Sequence, residues 1–327
     1  MKGLHLALLF LAAASASAAA TLPSTSVSAT SVTIASWNMQ WLDNQSRRPE
    51  SLRTTEDYSA MAKVIDQLGA DILTFQEVAD IDSLNEVLNK VDRPHQYRIE
   101  LSSRARHQKT QPNRAGKRSL RWQQYVGFAI KPHVRYVRSP DLVALDVTKR
   151  HYLRYGVDIT LLDNKQRPSL RILAIHLKSG CAYSERLSGK TCKQLAKQFK
   201  VLARWVKQRY REGIPFMVVG DFNRRLNQAE DKLWHRLNDH SPAGLKLHRS
   251  TQAQINRCQV RAYNRQRQQW YTRRNRHFID HLVIGPRAQK MAVAHSFQQQ
   301  RFNSSHQVKY RLSDHCPIKM TINIDPV

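Results

Sequence analysis

Apolar residues along this chain follow two rhythms. In one, β-branched and aliphatic residues form short continuous runs, as in strands buried on both faces; in the other they recur at helical spacing. The run from Val32 to Ser36 predicts a strand that ends at Trp37-Asn38. Met61, Val64, Ile65 and Leu68 then give one apolar face to a helix from Glu56 to Leu68, and Gly69 stops it. A strand from Asp71 to Phe75 ends at Gln76-Glu77, and the helical period returns from Ile81 to Val91. Further strands are predicted from Tyr125 to Ile130, Val157 to Leu162, Leu170 to Leu177, Phe216 to Val219, Phe278 to Ile284 and Ile318 to Ile324. Leu195, Phe199, Leu202, Val206 and Tyr210 mark a long amphipathic helix from Cys192 to Arg211, stopped near Gly213. There is no internal repeat and no linker rich in Gly, Ser or Pro, so one α/β domain is predicted over residues 32–327.

The start of the chain fits neither rhythm. Lys2, the apolar run from Leu4 to Ala14 and the small residues Ala16 to Ala20 have the pattern of a signal peptide over residues 1–20, cut near Ala18 or Ala20. Residues 21–31 follow as a flexible N-terminal segment. No later stretch is apolar and long enough to span a bilayer, so the expectation is a soluble, secreted or periplasmic protein, and a monomer.

Charge narrows the class of partner. The chain has 53 Lys and Arg against 25 Asp and Glu, a formal net charge of +28. Such an excess opposes compaction and suits a polyanion, nucleic acid foremost. It is also clustered. Arg104, Arg106, Lys109, Arg114, Lys117, Arg118 and Arg121 fill residues 102–121 with no acid among them. A second acid-free stretch, residues 249–276, interleaves Arg249, Arg257, Arg261, Arg265, Arg267, Arg273, Arg274 and Arg276 with Tyr263, Trp270 and Tyr271. Both are predicted as basic insertions. Guanidinium forks match phosphates and aromatic faces match unstacked bases, which makes Arg261, Arg265, Arg267 and Arg273 candidates for nucleic-acid binding.

Four cysteines in an exported chain permit disulfides. Cys181 and Cys192 would close a short loop and are the expected pair. Cys316 lies in an apolar run and is expected as a buried thiol, while Cys258 is open to either state.

The chemistry sits where the apolar strands stop. Asn38, Glu77, His176, Asp221 with Asn223, Asp280, and Asp314 with His315 each stand at the end of, or just beside, such a run. Strand ends meet at one edge of a sheet, so residues far apart in sequence can converge there on rigid supports. Oxygen ligands without paired His or thiolate spacing suit Mg²⁺, with Mn²⁺ or Ca²⁺ as alternatives, better than zinc.

The segments Ser36-Trp37-Asn38, Phe75-Gln76-Glu77, His176-Leu177-Lys178-Ser179, Gly220-Asp221-Phe222-Asn223, Ile279-Asp280-His281 and Ser313-Asp314-His315-Cys316-Pro317 occur in an order that resembles the endonuclease/exonuclease/phosphatase superfamily. The likeness spans residues 36–317, nearest to its pancreatic deoxyribonuclease-like branch. It implies an α/β (α+β) fold, a four-layered αββα sandwich of two mostly antiparallel sheets. It implies that Asn38, Glu77 and Asp314 surround the metal, and that His315, oriented by Asp280, takes the proton of the attacking water. Asp221 and Asn223 would bind the phosphate side or a second metal position, and His176 would contact a phosphate oxygen or protonate the leaving group. Arg154, with Arg150 as its rival, and Lys178 match the phosphate-contacting positions. The family's central tyrosine has no secure counterpart; Tyr125 is the nearest candidate.

Fold alone does not name a substrate. Inositol phosphatases of this superfamily carry a Trp-Cys-Asp-Arg-like segment where this chain has Phe278-Ile279-Asp280-His281, and a sphingomyelinase needs an exposed apolar hairpin where the insertions here are Arg-rich. The expectation is therefore a low-specificity endonuclease acting on DNA, and on RNA as a second polymer. The alternatives are a sphingomyelinase-like phospholipid phosphodiesterase or phosphoinositide phosphatase at anionic membranes, and a nucleic-acid-binding protein on an inactive scaffold.

Overall fold

A computed structural model describes residues 31–45, 52–92, 97–104, 110–112, 118–120, 124–148, 152–183, 186–228, 230–264, 266–303 and 309–324. The predicted signal peptide, residues 21–30, Arg150, Arg265 and, in the first basic insertion, Arg106, Lys109, Arg114, Lys117 and Arg121 lie outside the described residues.

The first half contains β1 (Ser31–Leu42), α1 (Thr55–Leu68), β2 (Ile72–Val78), α2 (Ile81–Leu88), β3 (Arg98–Leu101), β4 (Thr110–Pro112), β5 (Arg118–Leu120), β6 (Tyr125–Ile130), β7 (Tyr136–Leu142) and β8 (Gly156–Leu162). Then come β9 (Pro168–His176), α3 (Lys190–Glu212), β10 (Phe216–Asp221), α4 (Lys232–Leu237), β11 (His248–Arg249), β12 (Gln259–Asn264) and β13 (Gln269–Arg274). The chain closes with β14 (Asp280–Ile284), α5 (Pro286–Met291), β15 (Gln298–Gln299) and β16 (Ile318–Asn323).

Two six-stranded sheets form, in the orders β15-β16-β1-β2-β6-β3 and β11-β14-β10-β9-β8-β7. Each is antiparallel except at one central pair, β1·β2 in the first and β9·β10 in the second. Three buried apolar layers divide the molecule into four. Ile34, Ile72 and Phe128 of the first sheet meet Ile159, Ile172, Met217 and Leu282 of the second between the sheets. Ala35, Trp37, Leu73 and Phe75 face the other way, onto Met61, Ile65 and Leu68 of α1 and Leu84 and Val87 of α2. Leu173, Ile175 and Val218 likewise cover Leu195, Phe199 and Leu202 of α3 and Leu233 of α4. Residues of alternate parity thus serve two layers, which is why these strands read as continuous apolar runs. This is the αββα sandwich that the resemblance implies.

Local chemistry sets the ends of α1. Thr54 and Asp57 exchange side-chain and backbone hydrogen bonds in a capping box, worth about 1 kcal/mol, and Gly69 ends the helix at a left-handed φ of 56°. Where the sequence pattern and the structure differ, tertiary pairing decides. β1 runs on to Leu42 beside β2, α2 stops at Leu88, and the second basic stretch contains an antiparallel ribbon, β12·β13. Cys316 is not a free thiol. It is bonded to Cys258, as Cys181 is to Cys192, so all four cysteines are paired. The apolar neighbours of Cys316 belong to a core that the ribbon completes with Cys258 and Val260. Among the described residues no helix is long and apolar enough to cross a membrane.

Candidate active site

The parallel pairs bring the ends of β1, β2, β9 and β10 to one edge of the sandwich. Antiparallel neighbours bring the start of β14 and the loop before β16 to the same place: Asp280 faces Asp221 across the β10·β14 ladder, and Ile318 pairs with Ser36. Residues 38, 77, 176, 221, 280 and 315 therefore converge. Asn38 donates from Nδ2 to Glu77 Oε1 at 3.3 Å and to Asp221 Oδ2 at 3.0 Å, joining the two sheets. His176 Nε2 lies 3.5 Å from Asp221 Oδ2 and 3.7 Å from Glu77 Oε1.

Backbone conformation aims these groups. Glu77 (φ 61°) and Asn223 (φ 51°) occupy the left-handed region, which costs non-glycine residues of order 1 kcal/mol or more and persists only where surrounding contacts impose it. Glu77 Oε2 accepts the Trp41 N–H at 3.2 Å; Asn223 donates its N–H to Asp221 Oδ1 at 2.7 Å and its amide to the Leu177 carbonyl at 3.1 Å. Gly220 has φ 139°, and a Cβ there would stand 2.1 Å from the Ile175 carbonyl oxygen. Only glycine lets β10 pack against β9 immediately before Asp221.

His315 Nδ1 is 2.7 Å from Asp280 Oδ2. Its loop is pinned from three directions. The Trp37 indole donates to the His315 carbonyl at 3.0 Å, the His315 N–H donates to Ser313 Oγ at 3.0 Å, and the Ser313 hydroxyl donates to the Asn38 carbonyl at 2.6 Å. Arg53 extends the brace. Its guanidinium donates to five carbonyls, those of Met39, Gln40 and Trp41 beyond Asn38 and those of Arg311 and Leu312 before Asp314. Burial lowers its pKa to about 10, still charged at neutral pH. Nothing in the sequence around Arg53 signals this role, because its partners are backbone atoms of two distant segments.

Burial and like charge govern the acids. Burial, then the neighbouring Asp280, raises Asp221 to about 7. Burial, then Asp314, raises Glu77. Burial, then Arg154, holds His176 well below its ordinary value, hence neutral. For His315 burial works downward, but Asp280 and then Asp314 outweigh it and hold the imidazole well above its ordinary value. At this edge two buried polar atoms, Asp280 Oδ1 and His176 Nδ1, have no hydrogen-bond partner among the described residues.

This donor set fits a hard divalent cation. Like-charged buried carboxylates that resist ionisation are relieved by a cation placed among them. The tightest trio of ligand-type atoms among the described residues is Asp221, Asp280 and His315, all within 4.8 Å of one another. Asn38 and Glu77 adjoin it through Asp221, and Asp314 Oδ1 lies 3.8 Å from His315 Nε2. The oxygens of Asn38, Glu77 and Asp314 border this trio and are the further donors that the edge offers to an ion.

The remaining candidates divide. Arg154 is buried and donates to the carbonyls of His176 at 3.1 Å and Leu177 at 2.5 Å, beneath Glu77 and Asp221. Lys178 lies beside it, its Nζ 2.8 Å from the Ser179 carbonyl. Arg273 reaches the edge, 4.0 Å from Asp314 Oδ2, and Asn275 donates to the Asp314 carbonyl at 3.0 Å. Arg267 sits exposed in the turn of the ribbon, away from this edge, and Arg261 lies on the ribbon's other face. Tyr125 is buried on β6 opposite Val78.

Comparison with known proteins agrees with this fold. The chain belongs to the Endonuclease/Exonuclease/phosphatase family, whose profile matches residues 35–315. Members of this family hydrolyse phosphoester bonds, and many need a divalent metal. Among solved structures, truncated Caenorhabditis elegans TDP2 is similar with 17% identity and a TM-score of 0.55 over 90% of this chain and 97% of its own. A Bacteroides thetaiotaomicron protein of the family is similar at 16% identity and a TM-score of 0.52, over 91% of this chain and 99% of its own. The 3′ phosphatase NExo from Neisseria, solved with a product DNA hairpin, is similar at 16% identity and a TM-score of 0.52, over 88% of this chain and 98% of its own. No curated protein sequence matches significantly.

Proposed function

We propose that this chain is a secreted, divalent-metal-dependent nuclease of low sequence specificity that cleaves within DNA and also takes RNA. The observation that carries the reading is the Asp280–His315 pair set beside buried Asp221, with an acid-free ribbon delivering Arg273 to the same edge. Similar solved structures include a 3′ phosphatase bound to a product DNA hairpin. Export is supported by the pattern of residues 1–20 and by the pairing of all four cysteines, since such bonds persist in oxidising compartments.

With Nδ1 held by Asp280, the nitrogen of His315 left to take a proton from water is Nε2. Asp280 stabilises the imidazolium that forms. Asn223, whose side-chain amide donates to the Leu177 carbonyl and to Asp221 Oδ2, holds Asp221 at the phosphate side, and His176, kept neutral, serves as a hydrogen-bond donor to the phosphate or leaving oxygen. Asn38, Glu77, Asp221 and Asp314 would hold Mg²⁺, or Mn²⁺ or Ca²⁺ in its place, and the bound ion would polarise the phosphate and offset its developing charge. Because His315 must start neutral and its pKa is raised, activity is expected to climb with pH through and above neutrality.

The test compares plasmid DNA, RNA, sphingomyelin and a phosphoinositide, each with Mg²⁺, Mn²⁺ or chelator. The expected result is plasmid nicking that chelator and Asp221→Ala both abolish. Turnover of sphingomyelin or the phosphoinositide with intact plasmid would replace this reading by the lipid one.

A further inference from the structure

Between the ribbon and the start of α1 lies a groove of about 560 Å³, lined by Thr54, Asp57, Arg261, Lys309, Tyr310 and Arg311 among others. Two acids, Glu56 and Asp57, also line it, but Arg53, Arg261, Lys309 and Arg311 outnumber them, and three of these cations are stacked on aromatic rings. The guanidinium carbons of Arg261 and Arg311 stand 4.4 and 4.9 Å from the centroid of the same ring, Trp270, and Lys309 Nζ stands 5.2 Å from that of Tyr310. Stacking on a ring fixes where a cation sits without neutralising it.

Asp57, the acid that Arg261 feels, already accepts the backbone N–H groups of Thr54 at 2.9 Å and Arg311 at 2.8 Å. Arg311 donates from Nη1 to the Leu52 carbonyl at 2.8 Å, and Arg261 from Nη1 to that of Lys309 at 3.5 Å. A guanidinium has five N–H groups, so these contacts leave each fork with donors to spare. An excess of positive charge in one groove, two of its cations stacked on a Trp270 ring that is 36% exposed, suits a phosphate backbone with unstacked bases.

We propose that this groove is a second phosphate subsite, which takes the backbone of a single nucleic-acid strand flanking the scissile bond. The proposal rests on the nuclease reading above. Arg311 is three residues from Asp314 in the chain, so the groove lies within about 10 Å of the strand-end edge, a distance that a short strand covers.

The experiment measures binding of a fluorescent single strand of about 12 nucleotides. Binding is followed in chelator across a salt series, for wild type, Arg261→Gln, Arg311→Gln and Arg261→Glu. Phosphatidylserine vesicles serve as a second probe, and bis(p-nitrophenyl) phosphate with Mg²⁺ as a small substrate for the wild type. Each Gln variant is expected to weaken strand binding about fivefold and to flatten the log–log salt slope by about 0.7, the value of one phosphate contact on a single strand, with Arg261→Glu weaker still. Unchanged affinity and slope in all three variants, with wild type binding the strand, would overturn the subsite and leave the nuclease reading standing. A wild type that binds no strand yet hydrolyses the small substrate would overturn both. Variants that lose vesicle binding and keep strand binding would assign the groove to membranes and overturn the proposal.

Discussion

The strand-end edge and the β12·β13 ribbon touch, through Asn275 and Arg273 at Asp314, yet they are built in opposite ways. The edge is acidic and buried. Its side chains are carried by central strands, locked by left-handed backbone at Glu77 and Asn223, and braced from behind by Arg53. The ribbon is basic and exposed along β13, and it joins the body through Val260 and the Cys258–Cys316 bond. The edge has fixed geometry of the kind that chemistry needs before substrate arrives; the ribbon has charge of the kind that meets a polyanion without demanding one sequence. On the proposed reading, reaction and substrate reach are held by separable parts of one domain.

Several substitutions break or sharpen that division, beginning with the largest effect. His315→Ala should slow plasmid nicking about a thousandfold, roughly 4 kcal/mol, while strand affinity in chelator changes less than about twofold. A parallel fall in affinity would mean that the edge also does the binding. Cys258→Ser cuts the tie between the two regions; over a separation of 58 residues the loss is expected near 4 kcal/mol by urea denaturation. A smaller loss, below about 1 kcal/mol, would show that the ribbon is held by packing alone. Arg53→Met leaves buried carbonyls unpaired and should cost about 3 kcal/mol and activity, with the salt slope of binding intact.

The gentlest of these effects is a slope. Asp221 holds its proton to about pH 7 in the folded state against an ordinary value of 3.8, so the folded protein binds the extra proton between these limits. Stability of the metal-free protein should therefore fall as pH rises from about 4 to about 7, by at most about 1.4 kcal/mol per pH unit. Melting in chelator checks this, and Asp221→Asn should flatten that part of the profile. An unaltered profile in the variant would place the buried charge elsewhere.

Much of the edge was legible because Asn38, Glu77, Asp221 and Asp280 each follow, end or open an apolar run, and strand ends must meet. The fold class followed from the same runs, since strands serving two cores leave no polar face. Other features had no local signature. Arg53 works through carbonyls, which every residue has. The ribbon alternates poorly, with Arg and Gln on both faces, so its strands are hidden in an unbroken basic stretch. Cys316 was misjudged because its neighbours are those of a core residue, and its partner is chosen by the fold and not by spacing. Arg154 matches a phosphate-contacting position, yet in the structure it holds the His176 and Leu177 carbonyls.

The pairing of β1 with β16 ties the centre to the closure of the whole sheet. The strand that carries Asn38 keeps one flank open until the strand that follows Asp314 and His315, far along the chain, comes to lie beside it. Neither strand alone completes the sheet or gathers the centre, so the edge assembles with the entire fold and not with any one half of it.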